Sequence, residues 1–106
     1  MTQYKVITAL EAEQLIHNEN PVILDCRDTT HYRANHIENA MHLHEKLRDS
    51  LLKKGEKSRH FLIYCYHGHA SEHVAEMFSD FGFEYVYSLR GGYESWKEFT
   101  TAEVTL

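Results

Sequence analysis

The residues with the clearest chemical potential lie directly after an apolar run of the sequence. Phe61-Leu62-Ile63-Tyr64 ends at Cys65, and Tyr, His, Gly, His, Ala and Ser follow at positions 66 to 71. A strand that turns through such a glycine-containing loop into a helix points several backbone N–H groups at one place. That arrangement stabilises an anion without a lysine and favours a thiolate over a thiol. We therefore predict that Cys65 is a nucleophile.

A packing role in the core is the alternative for Cys65, because free cysteines are among the most buried residues of proteins. The residues that follow Cys65 are not typical of a core, which is unusual after a cysteine that only fills space. Functional side chains concentrate in loops that a rigid scaffold positions. The position of Cys65 therefore favours chemistry over packing.

Strands and helices are predicted to alternate along the chain. Apolar runs predict strands at Lys5 to Ile7, Val22 to Leu24, His36 to Met41, Phe61 to Tyr64 and Tyr85 to Tyr87. Helical spacing predicts helices at Thr8 to His17, Thr29 to Ala34, Leu43 to Lys54 and Ser71 to Phe81, and a last one that buries Tyr93, Trp96 and Phe99. Gly82 is expected to cap the fourth helix in a left-handed conformation. The alternation predicts an α/β fold, with a mostly parallel sheet of about five strands, helices on both faces and sites at the carboxyl ends of strands.

Composition and charge indicate one folded domain and argue against several partners. The chain has 106 residues, 42% of them hydrophobic and 25% charged, which suits a single domain over residues 1–106. A net charge of -5 and no basic run longer than Lys53-Lys54 argue against binding to nucleic acid or to an anionic membrane surface. No apolar stretch approaches the roughly 20 residues of a membrane span, and no signal segment is evident, so a cytoplasmic location is expected. Only two cysteines occur, which fits a reducing compartment.

Four segments resemble those of the rhodanese family, in the order in which that family carries them. Cys65 to Ser71 is similar to the family's active-site loop, particularly that of the small single-domain thiosulfate sulfurtransferases of the GlpE type. Asp25-Cys26-Arg27 resembles an Asp-x-Arg segment at the end of an earlier strand, and His36-Ile37-Glu38-Asn39-Ala40 resembles a His-Ile-x-x-Ala segment. Leu89 to Trp96 is similar to a Leu-x-Gly-Gly-x-x-x-Trp signature near the C-terminus. Each motif is short, but together they cover nearly the whole chain.

The resemblance implies a rhodanese-like three-layer domain and covalent sulfur transfer. In that chemistry the Cys65 thiolate attacks the outer sulfur of thiosulfate, sulfite leaves, and the resulting persulfide gives its sulfur to cyanide or to a thiol. Loop amides are expected to hold the negative charge of the persulfide. These amides are those of Tyr66, His67, Gly68, His69, Ala70 and Ser71. No metal or organic cofactor is implied, and a small dithiol protein such as thioredoxin is the implied kind of acceptor.

The loop differs from that of many family members at Ala70, where an arginine is common. No Arg or Lys lies between Cys65 and Ser71, so binding of the thiosulfate dianion would rest on amide dipoles. We therefore expect other donors as well, such as a persulfide delivered by another protein. Arg90 is a candidate for the missing cation, and its alternative role is that of a solvated partner of a nearby carboxylate.

Other residues of the four segments are interpreted as structural. Asp25 and Arg27 are expected to tie a strand end to neighbouring loops. Gly91-Gly92 is expected to form a sharp turn, and Trp96 is expected to be buried in the core.

Cys26 and the histidines offer further chemistry that the sequence leaves open. Cys26 is either an ordinary small core residue or, because the family fold places it beside Cys65, a resolving thiol under oxidation. His69 and His73 lie at the i, i+4 spacing of some metal ligands. No acidic or cysteine ligand accompanies them in a recognised motif, so no metal site is predicted.

Two other functions are alternatives for such a loop. Phosphatases and arsenate reductases of the CX5R type also use a cysteine thiolate among backbone amides. They need an arginine six residues after the cysteine, where this chain has Ser71. A rhodanese-like module that binds a partner without catalysis is the second alternative, and the presence of Cys65 argues against it.

Overall fold

The structure, a computed structural model, describes residues 3–104 as one parallel sheet covered by helices. The strands are β1 (Lys5–Ile7), β2 (Val22–Asp25), β3 (Met41–His42), β4 (His60–Tyr64) and β5 (Tyr85–Leu89). The helices are α1 (Ala9–Glu19), α2 (Thr29–Ala34), α3 (Glu45–Lys54), α4 (His69–Asp80) and α5 (Gly92–Val104). The strand order is β1-β5-β4-β2-β3, and each neighbouring pair is parallel. The predicted α/β fold is therefore confirmed.

Strand β4 lies at the centre of the sheet because both of its faces are apolar. Leu62 and Tyr64 pack in the layer that contains α1 and α5, whereas Phe61 and Ile63 pack in the layer that contains α3 and α4. All four residues are buried. Such burial on both faces is typical of a parallel strand between two helix layers. The three-layer architecture implied by the resemblance is confirmed.

The register of β2 and β4 brings the two cysteines to neighbouring positions. Asp25 pairs with Tyr64 at the last residue of both strands, and the amide of Cys26 donates to the Tyr64 carbonyl (2.8 Å). Cys26 and Cys65 therefore leave the sheet side by side. They do so at the carboxyl edge, where parallel α/β sheets form their sites.

The prediction of a strand from His36 to Met41 is wrong, because most of this segment is a turn. Asn39 has a φ of 70°, a left-handed conformation that regular strands lack, and the amide of Ala40 donates to the Ile37 carbonyl (2.9 Å). Ile37 and Ala40 are both buried, so the apolar residues of the segment reach the core from a turn. The strand itself is confined to Met41–His42.

Several other predicted boundaries differ from the structure by two residues. They are the starts of α3 (Glu45, not Leu43) and α4 (His69, not Ser71) and the ends of α1 (Glu19, not His17) and β5 (Leu89, not Tyr87). Helix α4 starts early because Gly68, with a φ of 100°, serves as its N-cap. Gly82 follows that helix with a φ of 92°, as its capping role requires.

Within residues 3–104, no helix combines the length and apolar character of a membrane span.

A buried ion pair fixes the carboxyl end of β2 against its neighbours. Asp25 is fully buried and accepts hydrogen bonds from the Arg27 guanidinium (2.8 Å) and the Tyr64 hydroxyl (2.7 Å). Arg27 also donates to the Asn35 carbonyl and lies over the ring of Tyr93 in α5, 4.1 Å from its centroid. Both buried charges are thereby paired and hydrogen-bonded. The pair links β2, β4, α5 and the residue after α2 at the edge that carries Cys65. The framework role of Asp25 and Arg27 stays a prediction.

Replacing Arg27 with leucine is expected to lower the free energy of unfolding by about 3 to 5 kcal/mol, because Asp25 would remain as an unpaired buried charge. The matched control is Arg48→Leu, which breaks the largely exposed pair of Arg48 and Asp49. That loss is expected to be below about 1 kcal/mol. Urea unfolding followed by circular dichroism measures both variants, and equal losses would contradict the role of the buried pair.

Candidate active site

Cys65 follows β4 directly, and its sulfur lies at the N-terminus of α4. The residue is 3% exposed. Its Sγ accepts hydrogen bonds from the backbone amides of Gly68 (3.1 Å) and Ser71 (3.3 Å). The left-handed conformation of Gly68 turns the chain into α4 and brings both amides to the inner side of the loop. The sulfur therefore lies where backbone dipoles stabilise a negative charge.

Two of the six predicted loop amides contact this sulfur, and they are those of Gly68 and Ser71. In the described part of the chain, no hydrogen bond joins Sγ to the other amides, which are those of Tyr66, His67, His69 and Ala70. The role of these four amides at the outer sulfur of a persulfide stays a prediction.

The first turn of α5 fixes the direction of the peptide groups at the start of the loop. The amide of Tyr93 donates to the Cys65 carbonyl (2.8 Å), and the amide of Glu94 donates to the Tyr66 carbonyl (3.4 Å). The first amides of a helix have no partner within the helix and are available for such bonds. Because these carbonyls point at α5, their negative ends are directed away from the cysteine sulfur.

Gly92 allows α5 to approach the loop closely. A Cβ atom at this position would lie 2.5 Å from the carbonyl oxygen of Cys65 and 2.5 Å from the carbonyl group of Tyr66. Gly91 and Gly92 also have φ values of 74° and 61°, which favour glycine. The glycine pair therefore forms the turn between β5 and α5 and places the first turn of α5 against the loop.

Ser88, which sequence reasoning missed, joins the site from β5. Its hydroxyl lies 2.8 Å from the Ser71 hydroxyl, which in turn lies 3.4 Å from Cys65 Sγ. Both serines are buried. The only signal in the sequence is a hydroxyl residue that interrupts the apolar strand Tyr85–Leu89 next to its carboxyl end.

Tyr66, in the loop that follows Cys65, contacts Asp28 and His31 at the surface. The Tyr66 hydroxyl donates to the Asp28 carboxylate (2.6 Å), and this carboxylate also accepts from the His31 amide (2.8 Å). These hydrogen bonds, most of all the one from Tyr66, hold the pKa of Asp28 well below its usual range. A depression of about 240 Å³ is lined by Tyr66, His31, His67 and Lys97 among others. A ligand that reaches the loop therefore meets a polar rim.

Arg90 is exposed and lies beside the start of α1. Its amide donates to the Ile7 carbonyl (2.7 Å). Hydrogen bonds from Thr8 lower the pKa of Glu11, and the charge of Arg90 lowers it further. The Arg90 guanidinium is thus close enough to the Glu11 carboxylate to lower its pKa. A role of Arg90 in substrate binding stays a prediction.

Trp96 of α5 is partly buried and packs against the core layer of α1 and α5. The centres of its ring and of the Phe99 ring are 6.0 Å apart.

His69 and His73, the pair at i, i+4 spacing, are exposed. Among the described residues, no group of three or more His, Cys, Asp or Glu side chains is placed to hold a metal ion. The histidine pair therefore lacks the additional ligands of the usual zinc sites.

Cys26 lies next to Cys65 without being bonded to it, since both cysteines are free thiols. Burial raises the pKa of Cys26 to about 12, and the charges of Cys65 and Asp25 contribute to the rise. A thiol with so high a pKa is protonated at neutral pH and is a poor nucleophile. The role of Cys26 as a resolving thiol stays a hypothesis.

Iodoacetamide is expected to modify Cys65 in the native protein and to leave Cys26 intact near neutral pH. With a pKa of about 12, only about one Cys26 in ten thousand is a thiolate at pH 8. Its labelling should increase only as the pH rises toward that value, because the thiolate is the reactive form. Peptide mass spectrometry after timed reaction measures both sites, with urea-unfolded protein as the control. Equal rates in the native protein would contradict the assignment.

Gly92→Ala is expected to slow the alkylation of Cys65 by about ten-fold, because the added methyl group displaces the loop and weakens a hydrogen bond to the sulfur. Gly82→Ala is the matched control. Gly82 also has a positive φ of 92°, but a Cβ there meets no atom within 4 Å. Both variants carry backbone strain of about 1 to 2 kcal/mol, whereas only Gly92→Ala should change Cys65 reactivity. A similar slowing in both variants would show that strain alone is responsible.

Comparison with known sequences identifies relatives over most of the chain. The family model of the rhodanese-like domain matches residues 8–99 of this chain. A thiosulfate sulfurtransferase GlpE of Coxiella burnetii is 44% identical over 94 residues, which cover 89% of this chain and 88% of that protein.

Solved structures of similar proteins share the fold. The solution NMR structure of a rhodanese-like domain from an Anabaena protein is 28% identical, with a TM-score of 0.77, over 93% of this chain and 76% of that chain. The crystal structure of a rhodanese-like domain protein from Staphylococcus aureus is 26% identical, with a TM-score of 0.73, over 87% of this chain and 90% of that chain. By its sequence and its fold, the chain belongs to the rhodanese-like domain family.

Proposed function

We propose that this protein is a thiosulfate sulfurtransferase that carries sulfane sulfur on Cys65. The proposal rests on the hydrogen bonds of the Cys65 sulfur, which accepts from two backbone amides at the N-terminus of α4, at 3.1 and 3.3 Å. The relative from Coxiella burnetii, 44% identical to this chain, bears the name of such an enzyme. Covalent catalysis of this kind needs a stabilised thiolate and a place for a charged outer sulfur. The amides of Gly68 and Ser71 support the first requirement, and the other loop amides are the proposed place for the outer sulfur.

In the first half-reaction the Cys65 thiolate attacks the outer sulfur of thiosulfate. A bond forms between Cys65 Sγ and that sulfur, the sulfur–sulfur bond of thiosulfate breaks, and sulfite leaves with the electron pair. The amides of Gly68 and Ser71 stabilise the thiolate before the attack. The remaining loop amides are assigned to the outer sulfur of the persulfide. They are those of Tyr66, His67, His69 and Ala70.

In the second half-reaction an acceptor nucleophile removes the outer sulfur. Cyanide or a thiolate attacks it, the bond to Cys65 Sγ breaks, and the Cys65 thiolate leaves into the same pair of amide hydrogen bonds. A thiol of a small dithiol protein of the thioredoxin kind is the proposed physiological acceptor. A reducing, cytoplasmic environment would supply such thiols and fits the two free cysteines of the chain.

The charge distribution around the loop bears on the sulfur donor. No Lys or Arg lies between Cys65 and Ser71, so dipoles rather than a fixed cation would meet the charge of thiosulfate. Lys97 and Glu94 line the adjoining depression together with two histidines, His31 and His67. We infer that a persulfide carried by a partner protein is a donor beside free thiosulfate, because such a donor also gains binding energy from the rim.

A phosphatase or arsenate reductase activity is disfavoured by the position of Ser71. Enzymes of that type clamp a tetrahedral oxyanion with an arginine at this place in the loop. Ser71 is instead fully buried, and its hydroxyl lies between Cys65 Sγ and the hydroxyl of Ser88. No guanidinium can therefore reach the anion from this position.

Incubation with thiosulfate is expected to add the mass of one sulfur atom to the protein and to release one equivalent of sulfite. Cys65→Ser should abolish both signals, since it removes the nucleophile. Cys26→Ser is the matched control and should retain both, because Cys26 is protonated at neutral pH. Intact-mass spectrometry and a sulfite assay measure the outcome. Persulfide formation that survives in Cys65→Ser would refute the assignment, and its absence from the unmodified protein would refute the function.

A further inference from the structure

A chain of three hydrogen-bonding groups runs from the site into the sheet. Cys65 Sγ lies 3.4 Å from Ser71 Oγ, which lies 2.8 Å from Ser88 Oγ. Ser88 belongs to β5, which has β1 on one side and β4 on the other. The exposed fractions of Ser71 and Ser88 are 0% and 1%, so both hydroxyls are shielded from solvent. Within residues 3–104, Ser71 is the only hydrogen-bond partner of the Ser88 hydroxyl.

The direction of the protons in this chain depends on the charge of the sulfur. An anionic sulfur is only an acceptor, so the Ser71 hydroxyl donates to it and accepts from Ser88. Each of the two hydroxyl donors, on Ser71 and Ser88, then has an acceptor. When the sulfur carries a proton, the two contacts can hold only two of the three protons. One donor, the S–H group or one of the two hydroxyls, is then left without an acceptor. An unpaired buried donor costs free energy, so this row of hydrogen bonds favours the anionic sulfur.

We propose that Ser88 is a positioning residue that acts through the Ser71 hydroxyl to stabilise negative charge on the sulfur of Cys65. The proposal rests on the proposed function, in which that sulfur is anionic both as nucleophile and as leaving group. Ser88 has no hydrogen bond to Cys65 itself. It keeps the proton of Ser71 directed at the sulfur, and linked hydrogen bonds strengthen one another in a protein interior.

The test is the pH dependence of Cys65 alkylation by iodoacetamide in the full chain. The variants are Ser88→Ala, Ser71→Ala and the double variant. Ser79→Ala is the matched control, because Ser79 is also buried, with 6% exposed, but its hydroxyl has no hydrogen-bond partner among the described residues. Thermal unfolding of every variant establishes that the fold persists.

Ser88→Ala is expected to move the midpoint of the rate profile up by about half a pH unit, which lowers the rate below the midpoint about three-fold. Ser71→Ala is expected to move it by about one unit, because it removes a hydrogen bond to the charged sulfur directly. In the Ser71→Ala background, Ser88→Ala should add no further shift, since Ser88 is then disconnected from Cys65. Ser79→Ala should keep the original midpoint.

An unchanged midpoint in Ser88→Ala would overturn the proposal. The proposal would also be overturned if Ser88→Ala moved the midpoint by the same amount in the Ser71→Ala background as in the original protein. Ser88 would then act by another route. Ser88→Thr keeps a hydroxyl and should keep the original midpoint, and a shift like that of the alanine variant would also count against the proposal. Alkylation needs no sulfur donor. A protein that forms no persulfide would therefore refute sulfur transfer, whereas the rate profiles decide the role of Ser88 separately.

Discussion

Peptide groups can stabilise an anionic sulfur only when their N–H ends point at it, and two helix starts impose that direction on the loop of Cys65. The left-handed Gly68 begins α4, and its amide and that of Ser71 point at Sγ. The first turn of α5 binds the carbonyls of Cys65 and Tyr66 and so turns them away. These dipoles are fixed before any ligand arrives and lie in a buried site, where electrostatic interactions are stronger than in water.

The rest of the fold holds these two helices in place around the central strand. Strand β4 delivers Cys65 to the carboxyl edge because helix layers cover both of its faces. The buried Asp25 and Arg27 link β2 to Tyr64 and, through the ring of Tyr93, to the start of α5. Gly92 removes the side chain that would keep α5 from the loop. Reactivity at one sulfur atom thus depends on contacts between segments that are far apart in the sequence.

Much of this architecture could be predicted from local sequence patterns. The apolar run at Phe61–Tyr64 indicates a buried strand, and the capping box of Thr8 and Glu11 starts α1 as expected. The turn at Ile37–Ala40 cannot be distinguished from a strand in the sequence, because the spacing of its apolar residues does not reveal the left-handed Asn39. Ser88 was missed for a different reason. Its significance depends on a hydroxyl from another element, and such a tertiary contact leaves almost no trace in the sequence.

The most direct measurement of the central claim is a crystal structure of the protein after reaction with thiosulfate. Electron density for a second sulfur on Cys65 is expected. Sγ should keep the hydrogen bonds from the amides of Gly68 and Ser71, while further loop amides point at the outer sulfur. An unmodified Cys65, or an outer sulfur with loop carbonyls rather than amides facing it, would contradict the stabilisation of this sulfur by peptide dipoles.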